Sequence, residues 1–412
     1  MRGVLGVAAL LLLAWAISED RWRVPLRVVI VGVLLQFVLA VVLLKFPLAA
    51  KAFLLLNDGV QALQKATDAG TGFVFGYLGG GPLPFAETRP GASFIFAFRA
   101  LPLVLVISAL ATLLFYWGVL QRIVQAFAWV LRQSIGVGGP LGLGAVVHIF
   151  VGFIEAPLLI RPYLLRLQRG EMFALMSTGM AGIAGTVMVI YAAILGPVIP
   201  DALGHILVAA VISTPAALAL AALMVPFQPD PSAAADLQID DPPISTMDAI
   251  AKGTRDGIVF VLNIIAMLIV MITLVSLVNA ALGVLPDLFG EPITLQRLFA
   301  YAFRPVMWLI GIPDGEIATA AQLMGTKTVL NEFVAYIDLS KVPADELDDH
   351  ARLIMTYAMC GFANFGSLGI LIGGMGAMVP ERRAEIVALG LRSILSGTLA
   401  GCMSGAVVGM LV

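Results

Sequence analysis

The chain has 412 residues, of which 60% are hydrophobic and only 12% charged, with a net charge of −2 and a mean hydropathy of +1.01. A soluble globular protein carries about 25% charged residues, so this chain is solvated largely by lipid, and nothing in its charge balance suits a nucleic-acid partner. Cys360 and Cys402 both fall in apolar or Gly-rich segments and offer no secreted-type disulfide framework.

Taken in order, Val4 to Ile17 is a short apolar run and Val24 to Phe46 a longer one. The first resembles a signal peptide in length, but the charged cluster Glu19 to Arg23 and the second run follow at once, and the pair reads as a membrane hairpin. Arg21, Arg23 and Arg27 put the connecting loop in the cytoplasm and the N-terminus outside. Lys51 to Ala69 and Val119 to Gln133 alternate apolar and polar residues at helical spacing and predict helices lying in the interface. Gly70 to Gly81, followed by Pro82 and Pro84, reads as loop. Ser93 to Trp117, Met172 to Val198, Leu203 to Phe227 and Asp256 to Leu285 are further spans of about the 20 residues a bilayer needs. A last span follows Pro380 to Arg383, and Leu353 to Val379 is Gly-rich and broken around Asn364.

Two segments are apolar but interrupted. Gly136 to Leu165 carries Glu155, Pro157 and Arg161-Pro162, and Gly315 to Ile337 carries Lys327, Asn331 and Glu332. Non-helical backbone at membrane depth is tolerated where it faces protein or water, so both predict re-entrant helical hairpins. Each is followed about thirty residues later by a segment rich in small residues, around Gly185 and then around Asn364. Corresponding broken elements in two halves point to a binding site at the midplane of a transporter. The expected organisation is residues 1–134 as N-terminal membrane and interfacial helices, largely scaffold; 135–227 with the first hairpin; 228–255 as a polar connector; and 256–412 with the second hairpin and the broken helix.

Intramembrane carboxylates mark pathways more often than scaffolding, which singles out Glu155 and Glu332. The competing reading is a structural ion pair with Lys327 or Arg161, or a helix cap. Asn364 and Ser367 are three apart and share one helical face; the competing reading for them, weaker beside Glu332, is interhelical hydrogen bonding. Asn331 suits a brace for the hairpin. His148, inside a hairpin arm, fits either a satisfied core residue or a proton carrier. There is no His-Glu-x-x-His run, Walker loop or Cys-His metal spacing.

Three motifs carry a family resemblance: Ile149-Phe150-Val151-Gly152-x-x-Glu155-Ala156-Pro157-Leu158; Gly325-Thr326-Lys327-x-x-Leu330-Asn331-Glu332-Phe333-Val334-Ala335-Tyr336; and Tyr357-Ala358-x-Cys360-Gly361-Phe362-Ala363-Asn364-Phe365. With Gly72 to Gly76 near the N-terminus, they make the chain resemble the concentrative nucleoside transporters over essentially its whole length. The resemblance implies an all-α polytopic protein with about eight transmembrane helices, two re-entrant hairpins, interfacial helices and an inverted-repeat transport core. It implies a homotrimer in the bacterial inner membrane that imports nucleosides on a cation gradient, is not an enzyme and uses no cofactor. By the same resemblance Glu332, Asn364 and Ser367 hold the ribose hydroxyls, and Phe153, Ile154, Glu155, Asn331 and Phe362 complete the substrate site. His148, Val151, Glu155 and Thr186 fall at the cation-coupling positions.

Two departures stand out. Sodium-coupled members read Gln-Thr-Glu where this chain has Phe153-Ile154-Glu155, so two polar contacts to the base are missing and Phe153 is left to stack on it. They also carry an Asn ion ligand where this chain has His148, and a serine that contributes to the same site where it has Thr186. Sodium, like other hard cations, prefers oxygen ligands. Proton coupling is therefore expected over sodium, with Glu155 or His148 as carrier. The alternatives are a transporter of the same fold for another ribosyl-bearing or polar solute and, in a different class, an intramembrane enzyme using Glu155 and Glu332.

Overall fold

A computed structural model describes residues 2–87, 93–150, 152–153, 155–229, 242–287 and 290–412; for residues 47–57, 60, 155 and 186 it describes the backbone alone. The described residues form helices and connecting turns, with no β-strand.

The first half contains α1 (Arg2–Ala16), α2 (Leu26–Lys45), α3 (Pro47–Phe75), α4 (Phe96–Arg99), α5 (Pro102–Tyr116), α6 (Val119–Ser134), α7 (Gly139–Val147), α8 (Glu155–Leu159), α9 (Arg161–Leu164), α10 (Arg169–Ala181), α11 (Gly185–Leu195) and α12 (Ala202–Met224). The second contains α13 (Thr246–Leu282), α14 (Leu295–Ile310), α15 (Ile317–Val329), α16 (Glu332–Lys341), α17 (Asp349–Met359), α18 (Phe365–Met378) and α19 (Arg383–Leu411). Five helical stretches, including α2, α5 with the short α4 before it, α12, α13 and α19, are long and apolar enough to cross a bilayer.

Three expectations from the sequence are corrected. The helix expected to end at Ala69, α3, runs on through the glycines to Phe75, and the Thr71 hydroxyl bonds both the Thr67 carbonyl and the Gly79 carbonyl beyond the helix end. The helix expected to start at Asp256 starts at Thr246, because the Ser245 side chain accepts from the Asp248 amide (3.1 Å) and caps it. The span expected from Met172 to Val198 is two helices, broken at Gly182 to Ala184.

Burial divides the molecule into two bodies. Nearly every residue of α12 is buried, whereas in α13 only Ala249, Gly253, Gly257 and Val275 are. Around α12 pack α2, α10, α11 and α19, with α1 and α17 against α19. The Gln36 side chain of α2 donates to the Ser404 hydroxyl of α19 (3.0 Å) inside this body. By contrast α13 packs mainly on α5. Gly253 and Gly257 make that possible: a Cβ on either would lie 2.7 or 3.0 Å from the backbone of Ala109 or Leu105. Small residues four apart let two helices approach this closely in lipid. Within residues 1–134, α1 and α2 pack with α12 and α19 while α5 packs on α13.

On one side of the molecule an ion cluster ties three segments together. Glu19, between α1 and α2, accepts from Arg169 of α10 (2.8 Å) and Arg392 of α19 (2.8 Å). The Arg169 hydrogen bond, with the charges of Arg169 and Arg392 behind it, holds the Glu19 carboxyl below the usual carboxylate range. Arg382 bonds the Leu164 and Leu167 carbonyls and so pins the end of the first hairpin to the start of α19. Cys360 and Cys402 are buried free thiols.

Candidate functional site

The site is built where two broken helices cross. In one, α17 ends at Met359 and α18 begins after Asn364; in the other, α10 ends at Ala181 and α11 begins at Gly185. Gly361 has φ +154°, and a Cβ there would sit 2.6 Å from the Ala181 carbonyl oxygen, so only glycine fits. The Phe362 amide then donates to the Gly182 carbonyl (3.2 Å), a main-chain bond between the two breaks.

The second hairpin brings its tip to this crossing. Asn331 caps α16, its side chain accepting from the Val334 amide (2.9 Å), and Glu332 is the first helical residue. Glu332 is 3% exposed. One carboxylate oxygen accepts from the Tyr191 hydroxyl of α11 (2.7 Å) and the other from the Asn364 side-chain amide (2.9 Å). Asn364 in turn caps α18, accepting from the Ser367 amide (2.7 Å). Lys327, buried on α15, donates to the Ala363 carbonyl (3.1 Å) next to Asn364. A carboxylate and an amide with fixed orientations, held by neighbours, suit a solute that presents several hydroxyls.

These groups open onto a cavity of about 370 Å³, within the range of small-ligand sites. Phe153, Asn331, Glu332, Phe362, Asn364 and Ser367 all line it, so the structure brings together most of the residues picked from the sequence. The rings of Phe153 and Phe362 pack 4.8 Å apart, tilted by 42°, as an aromatic wall. Phe96, Leu101 and the α13 residues Phe260, Asn263 and Met267 line it as well. The cavity therefore lies between the two bodies.

His148 does not line the cavity. It follows α7 directly, is 2% exposed, and its Nδ1 lies 2.7 Å from the Ala145 carbonyl. A nitrogen bonded to a carbonyl carries the proton, which leaves Nε2 with a free lone pair in the neutral ring. Nε2 has no hydrogen-bond partner and faces the α10–α11 break, where a Cβ on Gly182 would come within 2.4 Å. Val151 and Ile154 lie outside the described residues, as do the side chains of Glu155, which opens α8, and Thr186, in the first turn of α11. The other histidines have partners elsewhere: His205 with the Tyr357 hydroxyl and His350 with the Gly409 carbonyl.

Two site residues escaped the sequence reading. Tyr191 sits in the run Val187 to Leu195 and Asn263 in the long apolar α13, each a single polar group without a motif around it. The ion pair considered between Lys327 and Glu332 is not the arrangement found, since the Glu332 oxygens go to Tyr191 and Asn364 and Lys327 goes to Ala363. Among the described residues no three His, Cys, Asp or Glu side chains gather as a metal cluster.

Family models match three parts of the chain: the N-terminus of Na+ dependent nucleoside transporters at residues 5–78, nucleoside recognition (Gate) at 97–198, and the C-terminus of Na+ dependent nucleoside transporters at 205–409. An uncharacterized transporter of Haemophilus influenzae is 34% identical over 100% of this chain and 98% of its own. The nucleoside permease NupC of Helicobacter pylori is 32% identical, over 99% and 97%. The solved structure of CNTnw in an inward-facing substrate-bound state superposes with a TM-score of 0.87 at 32% identity, covering 99% of this chain and 97% of that one.

Proposed function

The chain belongs to the concentrative nucleoside transporter family, and from that premise we propose that it is a bacterial inner-membrane symporter that imports nucleosides on the proton gradient. Its relatives are permeases, which removes the intramembrane-enzyme alternative. The observation that carries the sugar half is the buried Glu332–Asn364 pair, with Ser367 beside it in the cavity. A vicinal diol donates to the carboxylate and meets the amide, and charge-assisted hydrogen bonds are the stronger kind. The base lies toward Phe153 and Phe362, whose faces suit a flat aromatic ring. Glu155 remains for hydrogen bonding to it.

Proton coupling is supported by the unpartnered Nε2 of His148 at the α10–α11 break. A free imidazole lone pair is a proton acceptor, and a ring nitrogen stands here in place of the oxygen that a hard cation would seek. Val151, Glu155 and Thr186 complete the coupling site in this reading. The two hairpins are re-entrant, the halves are inverted repeats, and the protomers form a homotrimer through the α5–α13 body, whose outer face exposes Leu262, Ile269 and Leu277. The Phe153-Ile154 pair also favours a second reading, another ribosyl-bearing solute with a less polar base.

A competition panel in sealed proteoliposomes tests these together. Uridine, adenosine, free ribose and free bases are offered against a labelled nucleoside, with and without an imposed proton gradient. Nucleosides are expected to compete and the gradient to drive accumulation. Competition by none of the nucleosides refutes the substrate; uptake that needs sodium at fixed pH and ignores a protonophore refutes the coupling.

A further inference from the structure

We propose that the Tyr191 hydroxyl is a positioning group that takes the part of a ribose hydroxyl on Glu332 during the unloaded half of the transport cycle. The inference rests on the nucleoside-symport reading above. A symporter closes its site twice per cycle, once around solute and once without it. On the loaded leg the sugar hydroxyls donate to the Glu332 carboxylate. On the unloaded leg that buried anion needs donors from the protein, because a carboxylate short of partners in a low-dielectric site is costly.

The donors are in place. Tyr191 gives its proton to one Glu332 oxygen at 2.7 Å, and Asn364 serves the other at 2.9 Å. Tyr191 and Glu332 are 4% and 3% exposed. The phenol ring is held by Tyr336, with centroids 5.2 Å apart, and by Phe333 at 6.2 Å, so its hydroxyl has a defined position. The two partners reach Glu332 from different elements, α11 and the α17–α18 break, and both line the cavity with it. Each oxygen has two lone-pair directions. The diol of a solute therefore shares or displaces the tyrosine without any rebuilding of the hairpin.

Removing the hydroxyl should slow the unloaded leg more than the loaded one. Net uptake into solute-free proteoliposomes requires both legs, whereas exchange in liposomes preloaded with the same nucleoside uses only the loaded leg. For Tyr191→Phe we expect the ratio of exchange to net uptake to rise about tenfold over wild type, the effect of one hydrogen bond to a charged group. A general packing role does not move that ratio. Tyr336→Phe is the control, since its hydroxyl serves the Thr356 carbonyl (2.9 Å); its ratio should stay at the wild-type value. An unchanged ratio in Tyr191→Phe, equal loss of both activities, or an equal rise in Tyr336→Phe overturns the proposal. Failure of wild type to exchange any nucleoside defeats the symport reading instead.

Discussion

The two hairpins meet at one crossing but are furnished in opposite ways. Around the second, Asn331 caps a helix, Asn364 caps another, and Glu332 accepts twice. Around the first, the corresponding ground is an aromatic contact between Phe153 and Phe362 and a histidine nitrogen with no partner. A network in which each member orients the next tolerates little change, because each loss strands another buried group. An aromatic wall and a lone ring nitrogen constrain their neighbours far less. On the proposed reading, the sugar end of recognition is the rigid half, while base choice and coupling are the half open to variation.

That contrast is testable, beginning where the effect should be largest. Glu332→Gln keeps the shape but removes the charge, and should lower nucleoside uptake by about a hundredfold or more, since hydrogen bonds to charged groups are worth about 1.5–3 kcal/mol each and two are affected. Near-normal uptake in proteoliposomes would show that the rigid half is scaffolding. His148→Asn should cut accumulation driven by an imposed proton gradient about tenfold and leave nucleoside binding by calorimetry in place. Equal losses of binding and accumulation would place His148 with the sugar network instead. Phe153→Gln, which returns an amide to the base end, should change the purine-to-pyrimidine competition ratio about fivefold, the scale of one neutral hydrogen bond. A shift in ribose competition instead would erase the division between the two ends.

The smallest effect should lie away from both hairpins. Glu19 is held in its charged form by Arg169 and Arg392, so its contribution to stability is present at neutral pH and fades as the pH falls through its lowered folded-state value. Because the cluster is partly exposed, Glu19→Gln should cost about 1 kcal/mol or less at pH 7 and nothing once both states are protonated. Thermal unfolding of purified protein at the two pH values measures it.

Much of this was legible in the chain. Helical breaks announce themselves when a proline or a charge interrupts an apolar run, as Glu155-Ala156-Pro157 and Asn331-Glu332 do. The α10–α11 break carried no such sign, for Gly182 and Gly185 sit in a run that reads equally well as one span; what opens it is a tertiary bond from Phe362. Tyr191 was hidden for a related reason. A lone tyrosine among Val, Met and Ile reads as packing, and only the approach of α16 turns its hydroxyl into a partner for Glu332. The grouping of α1 and α2 with α12 and α19 was likewise set by long-range contacts, such as Gln36 with Ser404, that local pattern does not record.

The bond from the Phe362 amide to the Gly182 carbonyl has one more implication. It is made by atoms that nearly every amino acid carries, so ordinary side-chain exchange leaves the donor and acceptor in place; only proline at position 362 deletes the donor. Phe362→Ala would pass over this joint, although it fastens the two halves of the crossing together, whereas a Cβ added at Gly361 or Gly182 would press on the Ala181 carbonyl or the His148 ring. On the proposed reading, exchange of the Phe153 or His148 side chain would alter substrate or driving ion while leaving the two atoms of this main-chain bond untouched.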